Sequence, residues 1–354
     1  MSGSAPTDGP LTSEELQLAT RNRGMPLEAL RYDLTPVGLH YLLVHFDIPA
    51  LDPDAWRLAV GGLVDRPLSL SLADLRARPA TTLAVTMECA GNGRARLQPR
   101  PISQPWLVEA IGTAEWTGVP LREVLAQAGL RPDGVELVFS GADHGLQGDV
   151  EQDYARSLSV ADASRPEVLL AYAMNGRPLE PQHGAPLRLL VPGWYGMTSV
   201  KWLTRIEVVA LPFEGYQQAV AYRYQDGEDD PGEATTRIRV RALMIPPGFP
   251  DFLSRRRFVE AGSVELRGRA WSGQAPVVRV EVGIDEQWAD ARLEAPIGEF
   301  AWRAWRFDWP ATAGEHRLAV RATDAAGGTQ PLEQPWNYQG MGNNLVQIVE
   351  VTVR

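Results

Sequence analysis

Cys89 is the only cysteine among 354 residues, and it sits in Thr86-Met87-Glu88-Cys89-Ala90-Gly91-Asn92-Gly93-Arg94. A lone thiol forms no intrachain disulfide and builds no Cys-x-x-Cys metal site. By itself it reads as a small packing hydrophobe. Its setting points elsewhere. Leu83, Val85 and Met87 alternate with smaller or polar residues, as on a strand with one buried face, and Gly91-Asn92-Gly93 then permits a turn with positive φ. A cysteine at the mouth of such a turn is presented rather than buried. Arg94 nearby favours the thiolate, the form that attacks or binds a metal.

Other candidates lie downstream. The five histidines, His40, His45, His144, His183 and His316, include no H-E-x-x-H spacing, so a protein-only zinc centre finds no support. His183 and Arg188 flank Gly184 and Pro186 before an apolar run. They read either as a capped turn or as two donors able to hold a phosphate or a polar cofactor. Gly193 to Lys201, with Ser199 and Val200, offers backbone donors, a hydroxyl and an ammonium in one loop, again suited to an anion. Asp143 ends a strand-like run, where a site residue or a solvated turn aspartate can stand. Tyr172 lies in an apolar stretch, where a core tyrosine is the default. No G-x-S-x-G elbow, dinucleotide fingerprint or P-loop occurs.

These residues need strands and turns to position them. From about Ala55 to Val209, β-like runs (Trp56 to Val60, Leu83 to Met87, Glu136 to Ser140, Leu187 to Val191) alternate with short helical patterns (Ser71 to Arg78, Leu121 to Ala128). This predicts a mixed α+β domain. The acidic, turn-rich segment Asp226 to Glu233 breaks the pattern. Beyond it about seven short runs of period-2 alternation predict an all-β immunoglobulin-like sandwich. The expected organisation is a lead-in over 1–39, a catalytic domain over 40–232 and the sandwich over 233–354. A net charge of −10 argues against a nucleic-acid surface. No run approaches a membrane span, and Met1 to Thr20 lacks both a signal-peptide core and a twin arginine. A cytoplasmic location is expected, in keeping with a reduced thiol.

Read together, the motifs resemble the sulfite oxidase family of molybdopterin enzymes. Glu88 to Arg94 looks like the family's C-A-G-N-x-R loop, and Ala110 to Leu121, Ala171 to Arg177, His183 to Arg188, Val191 to Gly193 and Ser199 to Leu203 follow in its order. Gly268 to Gly273 and Trp336 to Asn344 look like its dimerisation domain. The resemblance runs from about residue 40 to the C-terminus.

It implies a molybdenum held by the Cys89 thiolate and the dithiolene of one pterin, which would suit a soft sulfur ligand. It further implies that His45, Asp143, His183, Arg188, Ser199, Val200 and Lys201 hold the pterin and its phosphate. Tyr172 would lie beside the oxygen that is transferred, Arg94 would bind an oxyanion, and Trp106 would wall the substrate pocket. The implied activity is oxygen-atom transfer to sulfite or a related small sulfur compound. The alternatives are an S-oxide or N-oxide reductase using the same site, or a non-catalytic interaction protein that keeps the fold. Leu43 stands where the family commonly has an arginine, which puts sulfite itself in question; an Arg-Asn pair occurs only further upstream, at Arg21-Asn22. With no haem or flavin module expected, electrons pass to or from a separate partner, and the sandwich implies a homodimer.

Overall fold

The computed structural model describes residues 5–354; Met1 to Ser4 of the expected lead-in lie outside the described residues. The rest of that lead-in is anchored. Helix Ser13–Arg21 begins with a capping box in which Thr12 and Glu15 satisfy each other's backbone N–H groups. Fully buried Glu15 also pairs with Arg100 at 2.8 Å. Thr7 and Arg100 exchange backbone hydrogen bonds. Further on, Met25 and Leu30 are buried beside Trp271 and Trp302 of the second domain.

Two five-stranded sheets carry the first domain. In one, strands Leu68–Leu70, Leu58–Gly62, Leu203–Val209, Glu136–Gln147 and Val150–Ser159 lie in that order, with Leu58–Gly62 parallel to Leu203–Val209. The other runs Thr81–Glu88, Ile111–Pro120, Leu169–Met174 and Arg177–Pro178, with Arg188–Leu190 also paired to Leu169–Met174. Helix Leu121–Ala128 turns Leu121, Val124, Leu125 and Ala128 inward, the face that their spacing predicts. These side chains join Leu58, Phe139, Leu189 and Ile206 in the main core. No helix among the described residues is long and apolar enough to cross a membrane.

The acidic break forms the turn of a two-stranded ribbon, Arg223–Tyr224 with Glu233–Ala234. Beyond it a four-stranded sheet (Arg241–Met244, Gly262–Trp271, Arg303–Ala311, Arg292–Leu293) faces a six-stranded one whose long members are Val277–Ile284, Gly314–Asp324 and Gln347–Val353. Alternate residues such as Val280, Val282, Trp305, Leu318, Val320 and Val351 fill the space between them. The architecture is α+β followed by an immunoglobulin-like β-sandwich.

The domains meet at Trp302, which is fully buried. Its backbone N–H donates to Thr86 Oγ1 at 2.6 Å, its indole N–H donates to the Asp33 carbonyl at 2.8 Å, and the Arg269 guanidinium lies over its ring. Trp302→Ala should therefore lower unfolding free energy by about 3–5 kcal/mol, as for other large buried aromatics. Urea denaturation reads this directly, and a loss below about 1 kcal/mol would mean that the seam does not depend on this ring.

Candidate functional site

Strand Thr81–Glu88 ends one residue before the thiol, and the chain then turns sharply. Gly93 adopts φ 93°, which glycine alone takes without strain. At Gly91 a Cβ would stand 2.8 Å from the Arg94 guanidinium carbon, so the close approach of that side chain requires a glycine. Cys89 itself is 7% exposed, against the expectation of a presented residue, yet it lines the cavity described below. Burial pushes its thiol pKa up, while Arg94, the Gly91 backbone and Trp106 pull it down. The net direction is upward, so Arg94 by itself does not secure the thiolate that the sequence suggested.

The cavity holds about 680 Å³ of atom-free space, part of it open to solvent, and extends from Cys89 to His45, Asp143, His183, Arg188, Ser199, Val200 and Lys201. All the residues expected to hold a cofactor thus converge on one space. Desolvation governs them. Lys201 is lowered to about 7 by burial and by Arg188, and its ammonium donates to the Leu43 and Gln182 carbonyls at 2.8 and 3.2 Å. His183 is lowered to about 3, and Arg188 to about 10, chiefly by burial. Asp143 is raised to about 6 by burial. His45 Nε2 lies 2.7 Å from Gln147 Oε1. Ser199 Oγ accepts from the Val191 N–H at 3.1 Å, and Arg188 donates to the His183 and Ser199 carbonyls at 3.1 and 2.9 Å.

Arg94 and Trp106 lie beside the thiol rather than in the cavity wall. Arg94 Nε donates to the Gln339 carbonyl at 3.0 Å, and its charge acts on both Cys89 and Tyr222. Trp106 is buried in the cluster that contains Cys89, Met87 and Trp116.

Tyr172 is a correction. On strand Leu169–Met174 successive side chains point to opposite faces, so Ala171 packs towards the cysteine and Tyr172 towards the main core, with Arg76 over its ring. The tyrosine that does line the cavity is Tyr222, with Tyr154 and Tyr41 beside it. Tyr222 has φ 59°, a left-handed conformation uncommon for a bulky residue and often found at functional sites. Burial raises its hydroxyl to about 12, and Tyr154 is its hydrogen-bond partner. Nothing in the spacing around Ala221-Tyr222-Arg223 marks it. His40, which no spacing marks either, is buried, lines the cavity and meets His183 edge-on at 5.8 Å.

Residues 45–217 match the family model described as the oxidoreductase molybdopterin binding domain, and residues 233–354 match the Mo-co oxidoreductase dimerisation domain. Sulfite oxidase of Gallus gallus is 35% identical over 336 residues, which cover 87% of this chain and 71% of that protein. The chain belongs to the sulfite oxidase family of molybdopterin oxidoreductases. Mitochondrial sulfite oxidase of Homo sapiens is 35% identical over 90% of this chain, and the chain spans 62% of its length. A nitrate reductase of Hordeum vulgare is 33% identical over 90% of the chain and 39% of its own. Among solved structures, the sulfane dehydrogenase SoxCD of Paracoccus pantotrophus superposes with a TM-score of 0.81 at 26% identity, covering 99% of this chain and 94% of that one.

The cavity fits a molybdopterin. No group of three or more His, Cys, Asp or Glu side chains among the described residues could hold a metal alone, so a metal at Cys89 needs donors from its own cofactor. Buried His183 Nε2, Arg188 Nε and Asp143 Oδ1 lack hydrogen-bond partners among the described residues. These groups suit a pterin ring that both donates and accepts, and Lys201 and Arg188 suit its phosphate.

Lys201 gives a pH test in cofactor-free protein. Its folded pKa of about 7 lies below the unfolded value near 10.4, so the unfolded state holds the extra proton between those values and stability rises with pH across that window. Wild type should therefore gain stability relative to Lys201→Met from pH 7 to 10. Equal pH slopes in parallel thermal melts would contradict the depressed pKa.

Proposed function

We propose that this chain is a molybdenum–pterin oxidoreductase that transfers an oxygen atom to a small sulfur compound and passes the electrons to a separate acceptor. The observation that carries the reading is the lone thiol opening onto a cavity lined with buried cations and unpartnered polar atoms. When bound, the cofactor supplies two-electron oxygen-atom transfer, and the protein supplies ligation, charge and shape.

In this reading Cys89 gives the metal one soft thiolate, and metal ligation overcomes the upward push of burial on its pKa. Lys201, Arg188, His183 and His45 hold the anionic cofactor, with Ser199 and Val200 forming the loop against it and Asp143 accepting from the ring. Arg94 draws an oxyanion towards the thiol. The Tyr222 hydroxyl, protonated at neutral pH and held more firmly so by burial, would turn its proton from Tyr154 to the reacting oxygen. Trp106 and Met87 keep water away from the sulfur. Residues 233–354 would pair two copies by an isologous interface, as the family model's description suggests. The cytoplasmic location stays part of the proposal, supported by the single reduced thiol and tested by cell fractionation.

A second reading, reduction of an S-oxide or N-oxide, draws on Leu43. This uncharged side chain lines the cavity where the family resemblance led to an arginine. A dianion there loses a charge-assisted contact of about 1.5–3 kcal/mol, roughly tenfold to hundredfold in affinity. Neutral substrates lose less.

Elemental analysis should find about one molybdenum per chain, since each chain offers one thiol. Cys89→Ser should abolish turnover, and full activity in that variant would remove Cys89 from the site. Steady-state assays with an artificial one-electron acceptor should give a weak sulfite KM, and a reduced dye should test sulfoxides and N-oxides; a micromolar sulfite KM would show that another group replaces the missing charge. Sedimentation of the full chain should give a dimer, and a monomer throughout micromolar concentrations would contradict the pairing role.

A further inference from the structure

The loop that carries the thiol is gripped from the second domain. Glu88, the residue before Cys89, has both carboxylate oxygens engaged by nitrogen. Its Oε1 lies 2.9 Å from Arg241 Nη1 and accepts from Asn92 Nδ2 at 2.9 Å, and its Oε2 accepts from the Trp271 indole at 2.8 Å. Arg241 and Trp271 both lie in the second domain, and the side chains of Glu88 and Arg241 are 3% and 2% exposed. Further along, Asn343 Nδ2 donates to the Gly93 carbonyl at 2.7 Å, and the Gly342 N–H donates to the Ala90 carbonyl at 2.7 Å.

We propose that the second domain, beyond any role in pairing two copies, is a working part of the redox site, and that Arg241 is its positioning residue: by compensating Glu88 it fixes the loop that aims the Cys89 thiol. This inference rests on the reading of Cys89 as the metal ligand.

The physical reason is two anions at adjacent positions. A metal-bound thiolate at 89 follows a carboxylate at 88, in a place too dry for solvent to screen them. Arg241 sets a positive charge 2.9 Å from that carboxylate. Asn92 then passes the constraint on. It donates to Glu88 and to the Val108 carbonyl, and it accepts from the Ala110 N–H, thereby tying the loop to the segment that brings in Trp106. Without Arg241, Glu88 keeps only the Asn92 and Trp271 donors and is free to swing away. That movement releases Asn92.

The test uses the full-length, cofactor-loaded protein. Arg241→Gln should lower molybdenum retained after dialysis by about tenfold, as loss of an outer-shell partner does at other metal sites. It should also alter the EPR spectrum of the bound metal, which a purely structural ion pair elsewhere would leave alone. The Glu88→Gln/Arg241→Gln double variant, with no buried charge left uncompensated, should recover retention to within about twofold of wild type. Wild-type retention and an unchanged spectrum in Arg241→Gln would overturn the proposal, and so would a double variant as defective as the single one. If Arg241→Gln does not fold, Asn343→Ala carries the test, because it loosens the grip on Gly93 without exposing a charge. It should fold and shift the spectrum, and an unshifted spectrum again overturns the proposal. Failure of the Cys89 reading would show separately, as wild type without molybdenum or as Cys89→Ser with an unchanged spectrum.

Discussion

Desolvation of positive charge around one cavity is the constraint on which the rest of this structure depends. Lys201 and Arg188 have pKa values lowered with burial as the largest cause, so their charged forms are held at a cost, while His183 and His45, lowered by the same burial, stand as neutral imidazoles. The fold holds them in place with neutral acceptors: the Leu43 and Gln182 carbonyls for Lys201, and the His183 and Ser199 carbonyls for Arg188. Such a lining is costly when empty of anion and favourable around one. The strands of both sheets serve this arrangement by delivering the cavity's walls from segments far apart in the chain.

The sequence makes some of this legible and hides the rest for definable reasons. Strand Thr81–Glu88 and the turn after it could be read because side-chain alternation and glycine report local backbone geometry. Helix Leu121–Ala128 could be read because its apolar face has the helical period. The cavity residues from Asp143 to Lys201 could be nominated because polar side chains stand beside apolar, strand-like runs, although Asp143 lies inside strand Glu136–Gln147, at its register shift, and not at the strand's end. Tyr172 misled because a motif fixes a residue's place on a strand, while the strand's other pairings decide which side is the core. Tyr222 escaped because its position depends on a left-handed backbone that no local residue pattern announces. The pairing of Glu88 with Arg241 was invisible for a third reason: it links charges 153 positions apart by number, across domains, and nothing short of the fold brings them together.

The lead-in shows how burial of a few groups can convert an apparently featureless segment into structure. Its composition is rich in Gly, Ser, Pro and Thr, which favours disorder. Yet Glu15 and Arg100 bury a charge pair, and Met25 and Leu30 occupy the seam between the domains. Composition weighs average residues, whereas anchoring depends on particular ones.

The grip of Asn343 on Gly93 and of Gln339 on Arg94 spans 250 and 245 positions. During synthesis, the loop around Cys89 leaves the ribosome long before the residues that shape it exist. Until the last strands have emerged and docked, that stretch has only its local turn propensity, and closing so long a loop is an entropic cost that must await the rest of the sandwich core. The thiol's final setting is therefore among the last features to form, and a large anionic cofactor meets a complete site only on a finished chain. A chain cut short near its end would lack the groups that grip this loop even with every residue of the first domain present.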